Sequence, residues 1–490
     1  MLRVTRRTVL RRGAALGLVL GAPSLLVSCS RGFKPEQGSN PLRIPPLLTA
    51  RPMEGTDVFD LALGHGETEF FQGVKTRTMG INQSYLGPTV RLTAGNDVRL
   101  NVANNLSEDT TLHWHGFHLP AAMDGGPHQV IRPGTTWSPE FKVRQKAGTF
   151  WYHSHTMGRT GAQVWAGLAG MMIVDDAESA GLGLPSTYGV DDIPLVLQDR
   201  VFTEDLQMPY APGFFAVMNY GLIGNVPLTN GTVGAFFDAT TGLLRLRVLN
   251  GSNSTFYGLH FSDGRRFFQI ASDGGLLERP FETNHVLLAP GERAEVLVDL
   301  SDGKMALLRA APMHGRAAIK ADEVLIRTLS GENDPFNFLE IRPSGKGDAT
   351  RVPETMALLP EVRASDAVRT RAFELDMGLK HTINGVKMDM ERVDEVVPEG
   401  QTEIWEITNK SWMAHPFHVH DTQFRILDRD GKAPHPGEAG LKDTVVAYPK
   451  ETVRILVRFD DYTDPALPYM YHCHMLEHED HGMMGQFTVV

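Results

Sequence analysis

GNDVRLNVANN, residues 95–105, opens on glycine, alternates apolar with polar side chains and closes on asparagine. Period-two alternation marks a strand with one face buried, and the residues at its ends are turn formers. The pattern returns twice, as GLLRLRVLNG from Gly242 and GQTEIWEITNK from Gly400. After each copy comes a histidine: His113, His260 and His415. Then comes another strand entered through a proline-bearing turn: RPGTTWSPEFKV, APGERAEVLVDL and YPKETVRILVRF. Repeats of roughly 140–150 residues built this way predict an all-β chain of three β-sandwich domains in series.

Composition agrees with that reading. The 49 glycines and 30 prolines among 490 residues favour many turns over long helices. A net charge of −11 argues against a nucleic-acid or anionic-membrane surface. Polar, glycine- and proline-bearing stretches near 177–192 and 330–353 divide the chain into 41–176, 177–335 and 336–490.

Residues 1–28 read as an export signal rather than part of the fold. TRRTVLRR contains the pair Arg6-Arg7, and the apolar run from Gly13 to Val27 is too short for a good bilayer span. The arginine pair points to the twin-arginine export machinery and a periplasmic destination. Leu26-Val27-Ser28-Cys29 is read two ways: as a lipobox that makes Cys29 a membrane anchor, or as a cysteine beside an ordinary cleavage site. Either way the other cysteine, Cys473, has no disulfide partner, and a metal is a reason for a free thiol.

Four histidine motifs supply the chemistry: HWHG (His113, His115), HSH (His153, His155), HPFHVH (His415, His418, His420) and HCHMLEHEDHGMM (His472, Cys473, His474, His478). Histidine at alternate strand positions puts both rings on one face, where a pair can grip neighbouring metal ions. In HCH the two histidines face one way and Cys473 the other, so one chain segment joins two metal sites. Two histidines, one cysteine and a weak axial methionine make a blue-copper centre, and His415, Cys473, His478 and Met483 fit it.

In these motifs, and in TTLHWHG, DGGP, ASDGGLL and HPFHVHDTQFRIL, the chain resembles the multicopper oxidase family from about residue 41 to Val490. It looks most like the bacterial periplasmic copper efflux oxidases. The resemblance implies cupredoxin-like Greek-key domains and four copper ions. His415, Cys473, His478 and Met483 would bind the type 1 copper, and His113 with His418 the type 2 copper. His115, His153 and His474 would hold one ion of the type 3 pair, and His155, His420 and His472 the other. The implied activity is one-electron oxidation of a reductant, coupled to four-electron reduction of dioxygen to water. Copper-free cell-division relatives share the fold, but here no ligand is missing. All twelve ligands lie in one chain, so a monomer suffices.

Reducing dioxygen requires protons, which a nearby carboxylate can carry. Asp124 and Glu479 occupy the positions that serve this role in similar oxidases. Asp443, in GLKDTV, is expected to orient the type 1 histidines. His260 lacks companions and reads as structural; His65, His118, His128, His285, His314, His381, His435 and His481 carry no metal-ligand spacing.

The reductant is either cuprous ion or a phenol. Met377, Met388, Met390 and Met413 are thioethers that suit cuprous ion, or gap-filling core residues. Two departures bear on the choice. The methionine-rich insertion of the copper efflux oxidases is missing, LDMGLKHTINGVKMDM running straight between its flanks. Ser411 stands where those proteins place an aspartate.

Overall fold

The asparagine that ends each repeat motif is a buried corner. The side chain of Asn104 accepts from the Leu106 N–H and donates to the carbonyls of Glu108 and Ile131. Asn250 makes the same three bonds, with the Ser252 N–H and the carbonyls of Thr255 and Leu288. So does Asn409, with the Ser411 N–H and the carbonyls of Met413 and Ala447. One amide satisfies three main-chain groups that a buried turn would otherwise leave unpaired.

The computed structural model describes residues 36–314, 336–344, 352–359, 361, 363–378 and 380–490. The twin-arginine segment and Cys29 lie outside the described residues. Each repeat has two sheets, and its motif strand holds the same place in one of them. Asp97–Asn104, Leu243–Asn250 and Thr402–Asn409 each run parallel to an earlier strand of their repeat, Thr56–Phe71, Asp192–Arg200 and Arg369–Met377. On the other side each pairs antiparallel with a strand from the proline-bearing segment: Glu140–Lys142, Arg293–Asp299 and Thr452–Arg458. Apolar side chains from the two sheets fill one core per repeat, around Trp114, Tyr257 and Trp405. The fold is all-β, as the alternation predicts.

Two segment placements differ from the sequence expectation. Phe336–Pro343, expected to begin the third domain, lies in the second repeat's sheet between Ala235–Ala239 and Ala306–His314. Asn40–Pro41, at the expected start of the first domain, adds a strand to the edge of that same sheet. Composition marks where chain is polar; it does not say which sheet edge a short strand joins.

Strand register relates the three histidine positions. In each repeat one corner carbonyl, that of Ile131, Leu288 or Ala447, belongs to a residue paired across the ladder with Thr110, Tyr257 or His415. Counting three residues on from each gives His113, His260 and His418; counting two further gives His115, Ser262 and His420. The third repeat's counterpart of His113 and His260 is therefore His418, not the His415 that the linear order suggests.

Candidate metal centre

The ligand strands of the first and third repeats face each other in the same arrangement. His113–His115 pairs with the strand Gly148–His153, placing His153 opposite His113. His415–Val419 pairs with Asp464–Cys473, placing His472 opposite His418. The two repeats interleave their rings: His113 stacks on His420 at 3.9 Å between centroids, and His115 on His418 at 3.7 Å.

Eight buried histidines thus meet at one place. Their ring nitrogens form sets within 4.8 Å of one another: His113, His418 and His420; His115, His153 and His474; His155, His420 and His472. The two type 3 sets implied by the resemblance are reproduced, and His113 and His418 fall together as its type 2 pair. A separate buried set, His415, Cys473 and His478, brings together the three strong donors expected of a blue-copper centre. The Cys473 thiol lies 3.4 Å from His415 Nδ1 and 3.7 Å from His478 Nδ1. Met483 is fully buried, and its carbonyl accepts from the Cys473 N–H at 3.0 Å.

Surrounding groups fix which nitrogen of each ring faces inward. The Nδ1–H groups of His113, His153 and His418 donate to the carbonyls of Asp124, Ser154 and Asp443, at 2.9, 2.8 and 2.8 Å. His420 Nδ1 donates to Asp124 Oδ2 at 2.8 Å, and Asp124 Oδ1 is 3.4 Å from His113 Nδ1. Glu479 lies between His155 Nδ1 at 3.3 Å and His472 Nδ1 at 3.2 Å. Each carboxylate therefore joins a first-repeat histidine to a third-repeat one and leaves the Nε2 lone pairs pointing inward.

Asp443 departs from expectation. It does not touch the type 1 histidines: its Oδ1 accepts from His115 Nε2 at 3.0 Å, and its main-chain carbonyl serves His418. At the type 1 trio the orienting groups are Ser411, whose Oγ accepts from His415 Nε2 at 2.8 Å, and the carbonyl of Asn219, which accepts from His478 Nε2 at 2.7 Å. His381 stacks on the His478 ring at 4.3 Å. Neither Asn219 nor His381 was signalled by any ligand spacing. Met377 and Met413 pack in the third repeat's core, whereas Met388 and Met390 are half-buried.

Burial sets the protonation. It drives His115, His153, His155, His418, His474 and His478 well below the usual imidazole range, and His415 and His420 to about 3. Neutral rings keep their lone pairs. Burial also raises the Cys473 thiol, so a thiolate there requires a cation beside it. Burial would raise Glu479 as well, but the facing His155 and His472 outweigh it and hold the carboxyl at about 2. For Asp124 the same contest, with His420 and His113 opposing burial, ends well below the usual carboxylate range.

The donor set fits copper. His113 Nε2, His418 Nε2 and both nitrogens of His474 are buried without a hydrogen-bond partner, each costing about 1–3 kcal/mol unless something binds it. Imidazole with thiolate is a ligand set for copper.

Comparison with known proteins agrees. Residues 63–179 and 357–490 match the family profiles described as multicopper oxidase. The chain is 35% identical to multicopper oxidase mco of Staphylococcus aureus, over 94% of each chain. It is 36% identical to cell division protein FtsP of Photorhabdus laumondii, over 97% of each. It superposes with a TM-score of 0.83 and 37% identity on a laccase-like multi-copper oxidase, CueO, from Ochrobactrum sp., covering 92% of this chain and all of that one. That protein is described as having oxidase activity towards lignin model compounds and lignosulfonate.

Proposed function

The chain belongs to the multicopper oxidase family, as an oxidoreductase with copper as its cofactor, and on that premise we propose that it is an exported cuprous oxidase serving copper detoxification. The donor sets would hold four coppers: one type 1, one type 2 and a type 3 pair. The observation that carries the reading is the complete, buried donor set, eleven histidine and cysteine ligands gathered in two adjoining sites, with Met483 buried beside the second. Bound copper supplies the redox chemistry, one-electron uptake at the Cys473 site and four-electron reduction of dioxygen to two waters at the histidine cluster.

The chain's own residues do the rest. Cys473, flanked by His472 and His474, gives a bonded path of a few atoms between the sites. Asp124 accepts the Nδ1 proton of His420, Glu479 lies beside the Nδ1 atoms of His155 and His472, and both carboxylates carry protons to the cluster. Burial of every ring excludes bulk water. Export follows the twin-arginine route to the periplasm, where Cys29 serves as a lipid anchor if the lipobox is used.

A second reading is a laccase-like phenol oxidase without a role in copper homeostasis. Ser411 favours it, because a neutral hydroxyl stands where the copper efflux oxidases place a carboxylate for cuprous ion. The missing insertion also leaves the type 1 edge more open to organic reductants, so phenol oxidation needs no added copper. A non-enzymatic cell-division role, suggested by the FtsP relative, predicts a depleted donor set, and this chain's set is full.

Oxygen uptake by copper-loaded mature protein tests these readings, with a stabilised cuprous complex and a dimethoxyphenol each as sole reductant. Fast uptake with cuprous ion alone supports detoxification, and fast uptake with the phenol alone makes the protein a laccase. No uptake with either, from protein holding four coppers, overturns the enzymatic reading.

A further inference from the structure

Among the described residues the second repeat contributes no ligand to the cluster, yet one of its side chains reaches the groups that hold the cluster in place. Arg293 opens the strand Arg293–Asp299 and is completely buried. Its guanidinium grips Asp443 with two prongs, Nη1 donating to Oδ1 at 2.8 Å and Nη2 to Oδ2 at 2.6 Å. Its remaining donors go to main-chain carbonyls: Nη2 to Asp273 at 2.9 Å, Nε to Thr149 and Nη1 to Gly291, both at 3.1 Å. Thr149 belongs to the first repeat and Asp443 to the third, so one side chain ties all three together.

Asp443 passes that constraint to the cluster twice. Its Oδ1 accepts from His115 Nε2, which leaves His115 Nδ1 facing His153 at 3.4 Å. Its carbonyl accepts from His418 Nδ1, leaving Nε2 inward and otherwise unpartnered. A carboxylate alone can rotate about its own bond; a forked guanidinium fixes its plane. The packing confirms how closely this junction is built. Gly116 has φ of +86°, and a Cβ there would stand 2.4 Å from Asp443 Oδ2 and 2.9 Å from Arg293 Nη2. Behind the pair, Lys442 is itself engaged, holding Asp273 at 2.8 Å and Glu292 at 3.0 Å.

We propose that Arg293, supplied by the repeat without ligands, is a positioning residue for the metal cluster, holding His115 and His418 in their binding tautomers through Asp443. The inference rests on reading the cluster as a copper site. The type 1 trio and Met483 come entirely from the third repeat, so the effect is confined to the cluster.

The test uses the full chain, loaded with copper, as wild type, Arg293→Met, Arg293→Lys and Asp443→Asn. Copper per chain is measured during chelator titration, together with the blue absorption of the Cys473 site and the paramagnetic signal of the type 2 copper. Arg293→Met is expected to keep the blue absorption while cluster copper falls away and the type 2 signal is lost or altered. Arg293→Lys keeps the charge but not the fork, so its cluster copper should be held about 10–100-fold more weakly. Asp443→Asn retains the main-chain carbonyl and should show the same selective loss. If Arg293→Met fails to fold, Arg293→Lys decides the matter. Wild-type cluster affinity and an unchanged type 2 signal in Arg293→Lys and Asp443→Asn would overturn the inference. A wild-type chain that takes up type 1 copper but no cluster copper would overturn the reading beneath it.

Discussion

The second and third repeats begin alike and end differently. Both turn on the same asparagine corner, Asn250 or Asn409, and both send a strand across the sheet from it. At matching ladder positions the third repeat carries His415, His418 and His420, and the second carries Tyr257, His260 and Ser262. Opposite His260 stands Arg309, where the first and third repeats place His153 and His472. Tyr257 is buried and donates its hydroxyl to Asp199, and His260 leans its Nδ1 on the Gly258 carbonyl. A histidine in the ligand position is therefore not a ligand. A ligand pair needs histidine on both paired strands, and opposite His260 the strand Ala306–His314 carries Arg309.

The sharpest way to break this comparison is to remove the matched histidines one at a time. His418→Ala should abolish cluster copper and reduce oxygen uptake to background, while blue absorption at Cys473 survives. His260→Ala, the same change at the same ladder position, should leave copper content and turnover at wild-type levels. Loss of copper in both variants would mean that the second repeat takes part in binding.

The corners themselves should behave alike. Asn250→Ala and Asn409→Ala each strip three main-chain groups of their partner, which should cost about 3 kcal/mol of stability in either repeat. Thermal or denaturant unfolding measures that cost. Only Asn409→Ala should also shift the blue absorption, because its amide holds the carbonyl of Met413, two residues before His415. Equal spectral shifts in both variants would break the distinction between a structural corner and a ligand-bearing one.

This comparison also shows what could be read in advance. Alternation and the Gly…Asn pattern gave the sandwiches, and the histidine motifs named the eleven histidine and cysteine donors that the structure gathers, because both depend on local period. What escaped depends on contacts between repeats. Arg293 and Glu295 occupy the polar phase of GERAEVLVDL, which by itself reads as a solvated face. The structure buries that face: Glu295 accepts from Thr149 Oγ1 of the first repeat at 2.7 Å, and Arg293 reaches Asp443 of the third. Asp443, expected to orient the type 1 histidines, instead accepts from His115, 328 residues away in the chain, a contact that no local spacing encodes.

The two carboxylates at the cluster offer a finer contrast. Asp124 spans His113 and His420, and Glu479 spans His155 and His472, so each links the two ligand-bearing repeats. Asp124→Asn and Glu479→Gln should each lower turnover about 10–100-fold, the usual cost of losing a ligand's supporting carboxylate. If protons pass through them, the loss should steepen as pH rises and free protons become scarce. A pH-independent loss, with copper content reduced in step, would leave them as orienting groups only.

The smallest expected effect lies at the type 1 site and bears on the choice of reductant. Ser411 Oγ accepts from His415 Nε2 and can pass its own proton to the Asn409 side chain or the Met413 carbonyl, so the hydroxyl belongs to the corner as much as to the site. Ser411→Ala removes one neutral hydrogen bond to His415 and should cost about 1 kcal/mol, seen as a small shift of the blue absorption and less than about tenfold in turnover. Ser411→Asp keeps an acceptor for His415 and adds a charge that attracts a cation and does nothing for a neutral phenol. It should raise turnover of the cuprous complex relative to the phenol. If both reductants change by the same factor, residue 411 tunes the copper and does not choose the substrate, and selectivity has to be sought elsewhere on the type 1 edge, where His381 stacks on His478.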